Sequence, residues 1–249
     1  MKIADSVKSA FDDGLSGKFD AALLHACIAI DATSKLLYPN QKAVGKRFTQ
    51  CIRDYYWLIE PMLGAGINLK ETVFSNVHLQ KTETPDFADI VYEVFRCGHV
   101  HGDEIPEGFR ILPSVGNWRS EWIFGPNQLQ FPDRMLWALL SVSIFSRVNE
   151  RQRSQHIGFY TLSLGDVSFP VHEWWGREDE VQPVALEHNQ VRVKFEMLEQ
   201  MVEAEEKNDD ATFRIAIIQP NVPAHIRASL EAELAQYEMD QTSGPGQPV

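Results

Sequence analysis

The chain is poor in the residues that would make several common functions easy to read. It has three cysteines in 249 residues, Cys27, Cys51 and Cys97. None forms a CxxC pair, and the odd count argues against a disulfide framework or a zinc knuckle. Cys27 and Cys51 fall in helical apolar patterns and are expected as buried thiols. No apolar run reaches the length of a membrane span. The opening Met1-Lys2-Ile3-Ala4-Asp5 does not lead into the apolar core of a signal peptide, so no membrane association and a cytoplasmic location are expected. Positive charge is scarce: Lys and Arg number 23 against 35 Asp and Glu, a formal net charge of −12. That balance excludes broad, non-specific coating of nucleic acid, while leaving room for a small basic pocket in an acidic body. There is no Gly-rich phosphate loop, no Gly-x-Ser-x-Gly elbow and no HExxH. Nucleotide hydrolases, esterases and zinc proteases fall away with them, and neither cofactor nor metal is expected.

What the chain does have is helical periodicity. A length of 249 residues suits one large domain or two small ones. Helices are expected over 2–13, 19–37 and 41–60. In the second, Leu23, Ala26, Cys27 and Ile30 mark a buried stripe. Pro61, Gly64 and Gly66 should close the third. Residues 67–83 read as a long connection. Thr84 then reads as an N-cap, with Pro85 at the first helical position. Phe87, Ile90, Val91, Val94 and Phe95 follow at i, i+3, i+4, i+7 and i+8, the best amphipathic pattern in the chain. A hairpin is expected within 109–131, then an apolar helix from Pro132-Asp133 to about Glu150. Two strands flank Gly165-Asp166. An acidic helix at about 187–207, an extended run at 212–219 and a last helix at 223–237 follow. The Gly, Pro and Gln of 241–249 suggest a disordered tail. The expected fold is mainly α: a helical domain over 1–150 with an inserted β-hairpin, a small α/β extension over 151–238, and a tail over 239–249.

The stretch that carries chemistry is Phe95-Arg96-Cys97-Gly98-His99-Val100-His101-Gly102-Asp103. Arg96 and His101 have four residues between them, directly after the amphipathic helix. A guanidinium can hold a phosphate, and an imidazole can move a proton near neutral pH. The spacing alone does not discriminate, because Arg151 and His156 repeat it at a polar helix end, where basic residues are expected for helix-dipole reasons. The context does discriminate. Arg96-Cys97-Gly98-His99-Val100-His101 resembles the signature of the HEPN superfamily, whose members often carry Arg-Cys-Gly-Leu-Val-His at the end of an apolar helix; this chain departs at His99. The helical layout is also similar, with residues 19–150 standing for the core and the motif after about three helices.

The resemblance implies a metal-independent endoribonuclease acting as a homodimer, of the kind found in toxin–antitoxin or phage-defence systems. An antitoxin or another defence protein would be its protein partner and RNA its substrate. Arg96 would hold the scissile phosphate. His101 would take the 2′-hydroxyl proton or protonate the leaving oxygen, leaving a 2′,3′-cyclic phosphate. Asp31, a polar break in the second helix, would orient Arg96. His99, three residues from Arg96, and Asp103 are possible supports. The alternation of His99, His101 and Asp103 also suits metal ligation, but no fourth ligand is nearby. The competing reading is a non-catalytic module of the same fold, serving dimerisation, sensing or partner binding, or accompanying a nucleotidyl-transferase. Arg96 would then be a surface ion pair with Glu93 or Asp103, and His101 a helix-end cation. Trp174-Trp175 can be read either as a base-stacking pair or as core packing. The acidic run from Glu196 to Asp210 reads as a solvated helix face.

Overall fold

A computed structural model describes residues 2–64, 67–98, 105–106, 108–113, 119–165, 167–188 and 213–218, with only the backbone described at 119–121, 155 and 213–218. The fold is mainly helical. Helices α1 (Ile3–Leu15), α2 (Phe19–Leu37), α3 (Val44–Asp54) and α4 (Tyr56–Leu63) are followed by α5 (Phe87–Ile90), which continues as a π-helical segment over Val91–Cys97. Strands β1 (Phe109–Leu112), β2 (Arg119–Gly125) and β3 (Gln128–Pro132) precede α6 (Arg134–Phe145). Strands β4 (Thr161–Leu164) and β5 (Val167–Pro170), helices α7 (Val171–Trp174) and α8 (Glu178–His188), and strand β6 (Phe213–Ile218) complete the described elements.

The helices bury one continuous core. The stripe expected in α2 is fully buried at Leu23, Ala26, Cys27 and Ile30. It packs against α1, α3 and α6. Ala-rich faces let these helices approach closely, and at Gly14 a Cβ would meet Leu136 at 2.7 Å and Trp137 at 2.8 Å. The expected helix over 41–60 is instead two. Tyr55 leaves helical geometry (φ −104°, ψ 14°), and its hydroxyl is bonded to Ser146 Oγ and Glu178, both at 2.7 Å. Pro61 lies inside α4 instead of closing it.

The N-terminus of α5 also differs from expectation. Asp86, not Thr84, is the N-cap. Its carboxylate accepts from the Asp89 amide, and Asp89 accepts from the Asp86 amide, a reciprocal capping box. Pro85 stays outside the helix, and its carbonyl accepts from Phe74 N at 2.8 Å. The apolar helix expected to reach Glu150 ends at Phe145. A 3-10 segment over Arg147–Gln152 follows, because Asn149 is drawn inward. Its Nδ2 donates to Thr33 Oγ1 and to the Ser143 carbonyl, each at 2.8 Å.

The expected hairpin is present as β2–β3, within a sheet of order β1-β3-β2-β6. Strand β1 runs parallel to β3, pairing Phe109 with Leu129 and Leu112 with Pro132. Strand β6 pairs antiparallel with β2 along its length. The turn carries Asn127 in the left-handed region (φ 49°). Asn76 straps it, donating to the Gly125 carbonyl at 2.9 Å and the Gln128 carbonyl at 3.1 Å. The strands flanking residue 166 form a second hairpin, Leu162 opposite Phe169. Residues 157–185 share the core of the first 150: Ile157, Leu162, Phe169, Val171, Trp175 and Val181 join the same buried cluster. Of the acidic helix expected at about 187–207 only Glu187 and His188 are described, as the end of α8; its remainder, the last helix and the tail fall outside the described residues.

Candidate functional site

The site grows from the way one aromatic anchors its helix. Phe95 is fully buried and meets Phe131 of β3 edge-on at 5.8 Å, 66° between ring planes. Phe87, two turns earlier, meets the same ring at 5.7 Å and 77°, and Trp122 of β2 meets it at 5.2 Å. Edge-to-face geometry adds to simple area burial. The helix carrying Arg96 is therefore clamped to the sheet at the residue before it. From Val91 to Cys97 the backbone hydrogen bonds close on the fifth residue, a form found often at functional sites.

Arg96 reaches from this segment to α2, where its Nη2 donates to Asp31 Oδ2 at 3.2 Å. The second oxygen of the same carboxylate accepts from Arg47 Nη2 of α3 at 2.8 Å. Asp31 thus bridges two guanidinium groups brought by two other elements. The three side chains are 25% (Asp31), 12% (Arg47) and 17% (Arg96) exposed. Burial works against the charge on Arg96, but the hydrogen bond and charge of Asp31 outweigh it and hold the guanidinium above its ordinary pKa. Arg47 Nε is buried with no hydrogen-bond partner among the described residues. One turn below Asp31, Cys27 forms an apolar floor; burial pushes its thiol up to about 12, so it stays neutral.

Tyr92 forms the wall. The Arg96 guanidinium lies 5.6 Å from its ring centroid and Lys81 Nζ lies 5.8 Å from it, within cation–π reach. Gly45, in the first turn of α3, sits under that ring, where a Cβ would meet ring atoms at 2.9 Å. Beyond Arg47, between the end of α2 and α3, a pocket of about 260 Å³ opens, lined among others by Lys46, Arg47 and Arg53. Arg53 is committed elsewhere: Nε and Nη2 grip Asp86 at 2.6 and 3.0 Å, and Nη2 also reaches Asp89 at 2.7 Å.

Of the residues predicted from sequence, Arg96 and Asp31 come together. Arg96 pairs with Asp31 and not with Glu93. His99, His101 and Asp103 lie outside the described residues. Among the described residues there is no group of three or more His, Cys, Asp or Glu able to hold a metal, and no helix is long and apolar enough to cross a membrane. Arg151 and His156, the second match to the spacing, are both exposed. Trp175 is buried and donates to the Asn149 carbonyl at 2.6 Å. Trp174 packs edge-on to Phe169 at 4.8 Å, so both tryptophans serve packing. Sequence reasoning missed Arg47. Its signal was geometric: Asp31 lies seven residues before the connection at 38–43 and Arg47 four residues after it, and an αα-hairpin can bring such positions within reach of each other. A carboxylate on a half-buried face also calls for a cation.

A family model described as Rv1289 matches residues 2–201. The chain belongs to the Rv1289 family. Two mycobacterial proteins are among the relatives of this chain. The uncharacterized protein Rv1289 of Mycobacterium tuberculosis is 29% identical over 187 residues, covering 74% of this chain and 88% of the relative. The uncharacterized protein Mb1320 of Mycobacterium bovis matches with the same identity and coverage. No solved structure matches this member of the Rv1289 family. The matched span takes in α1 to α8, and with them Asp31, Arg47 and Arg96.

Proposed function

We propose that this chain is a metal-independent endoribonuclease of the HEPN type, working in the cytoplasm as a homodimer within a toxin or phage-defence system. The observation that carries the reading is Arg96 itself. It stands at the end of a helix clamped by Phe95, kept charged and oriented by Asp31, and it opens the Arg-Cys-Gly-x-Val-His string. In this reading Arg96 neutralises the non-bridging oxygens of the scissile phosphate as charge builds there. The 2′-oxygen attacks phosphorus, and its proton passes to the His101 imidazole. The bond from phosphorus to the 5′-oxygen breaks. That oxygen takes a proton from imidazolium, supplied by the second His101 of the dimer cleft. The products are a 2′,3′-cyclic phosphate and a 5′-hydroxyl, and DNA, lacking the 2′-hydroxyl, is spared. Asp31 acts as a positioning residue, since it touches Arg96 and not the phosphate.

One observation favours the non-catalytic alternative. Arg96 is only 17% exposed and already holds a carboxylate, as a purely structural ion pair would. The two readings separate on purified protein. With EDTA present, the wild type is expected to shorten RNA, and Arg96→Ala and His101→Ala are each expected to lose at least a hundredfold in rate, the low end of a general acid–base contribution. Cleavage unchanged in both variants contradicts the assignment; a stable dimer with no cleavage supports the interaction module.

A further inference from the structure

The pocket between the end of α2 and α3 is unlike the rest of this acidic molecule. Its cationic lining is Lys46, Arg47 and Arg53, accompanied by Tyr38, Gln41 and Gln50, and no described residue lining it is a carboxylate. The carboxylates bonded to its lining residues are each already engaged. Asp54 accepts from Tyr38 Oη on one oxygen and from Gln50 Nε2 at 2.6 Å on the other. Asp86 and Asp89 are spent on Arg53, and Asp31 on Arg47 and Arg96. Lys46 is exposed, and among the described residues no carboxylate pairs with it. Arg47 lines the pocket while its Nη2 donates to Asp31.

We propose that this pocket holds the backbone phosphate next to the scissile one on a single RNA strand, with Lys46 and Arg47 as its cations. The inference rests on the ribonuclease reading and adds the direction in which the strand runs: from Arg96, across Asp31, onto α3. Arg47 and Arg96 hold opposite oxygens of one carboxylate. Their guanidinium groups are separated only by two hydrogen bonds and that carboxylate, an interval that suits neighbouring phosphates on an extended strand. At about 260 Å³ the pocket falls below the usual range of small-molecule sites, a scale that fits a phosphodiester better than a whole nucleoside. A guanidinium and an ammonium are also the groups that neutralise backbone phosphate without reading sequence.

The test uses the full chain and a single-stranded hexanucleotide with 2′-O-methyl riboses, which binds and cannot be cut. Fluorescence anisotropy is read at several salt concentrations. Lys46→Glu is expected to weaken binding about tenfold. It should also reduce the slope of log K against log salt by about 0.7, the loss of one phosphate contact on a single strand. Lys46→Arg should restore both. Lys42→Glu, equally exposed but outside the pocket, should change affinity less than twofold. Wild-type affinity in Lys46→Glu, or an equal loss in Lys42→Glu, overturns the pocket. If the unmodified hexanucleotide is cleaved while Lys46→Glu binds normally, the pocket falls and the ribonuclease reading stands. If the wild type binds in a Lys46-dependent way and the unmodified strand stays intact, the pocket stands only as a phosphate-binding site, and both the ribonuclease reading and the placement beside a scissile phosphate fall. Failure of the wild type to bind overturns both.

Discussion

Removing the Asp31 carboxylate should cost this protein more stability than removing the arginine that the sequence singles out. Asp31→Ala leaves two mostly buried guanidinium groups, Arg47 and Arg96, facing each other without a counter-charge. Each hydrogen bond to a charged group nets about 1.5–3 kcal/mol. The two bonds together would then give about 3–6 kcal/mol, and because Asp31 is 25% exposed water can replace part of what is lost. We expect a destabilisation of about 2–4 kcal/mol, consistent with breaking a buried pair. Arg96→Ala should cost less, about 1–2 kcal/mol with the same allowance for solvent, because Asp31 keeps its shorter bond to Arg47, at 2.8 against 3.2 Å. Arg47→Ala should fall between them. Asp31→Asn preserves shape but not charge and should recover about half the loss. Urea unfolding followed by circular dichroism measures all four, with an unchanged m-value as the sign that only stability has moved. The reasoning fails if Asp31→Ala lies within about 0.5 kcal/mol of wild type, the ordinary range of surface substitutions, or if Arg96→Ala is the more damaging change.

Two further perturbations probe the surroundings. Gly45→Ala gains about 1 kcal/mol of helix propensity. Its Cβ, however, meets the Tyr92 ring at 2.9 Å, and overpacking typically costs about 1–3 kcal/mol. A net loss in thermal stability and slower RNA cleavage are expected, and a more stable, fully active variant would contradict the role of Tyr92 as the wall beside Arg96. Burial pushes the Asp86 carboxyl up, but the two-pronged grip of Arg53 outweighs it and holds the group below the usual carboxylate range. Its contribution is therefore complete above the unfolded Asp value of about 3.9 and disappears as pH falls through the lower folded value. The stability gap between wild type and Asp86→Asn should be widest near neutrality and close in strong acid. A gap independent of pH counts against the pair.

The parts of this molecule legible in its sequence are those set by local periodicity. Helix α2 occupies Phe19–Leu37 as its stripe and Pro39 imply, and Phe87 to Phe95 bury the face their spacing marks. What was not legible depends on partners distant along the chain. The break at Tyr55 is tied to Ser146 and Glu178. The early end of α6 is tied to Asn149 turning toward Thr33. The parallel pairing of β1 with β3 and the addition of β6 to β2 are long-range register choices that no short window encodes. The capping box moved the start of α5 to Asp86 because Arg53, 33 residues earlier, stabilises that carboxylate. In the site, Asp31 showed itself as a polar interruption of an apolar helix. Arg47 did not, because a basic residue on an amphipathic helix has no local mark of being turned inward.

The central claim is the chemistry at Arg96 and His101, and the ends of the cut RNA test it most directly. RNA treated with the wild-type chain in EDTA should carry a 2′,3′-cyclic phosphate on one side of the cut and a 5′-hydroxyl on the other, with neither product formed by His101→Ala. Products ending in 5′-phosphate, or identical products from His101→Ala, would contradict it.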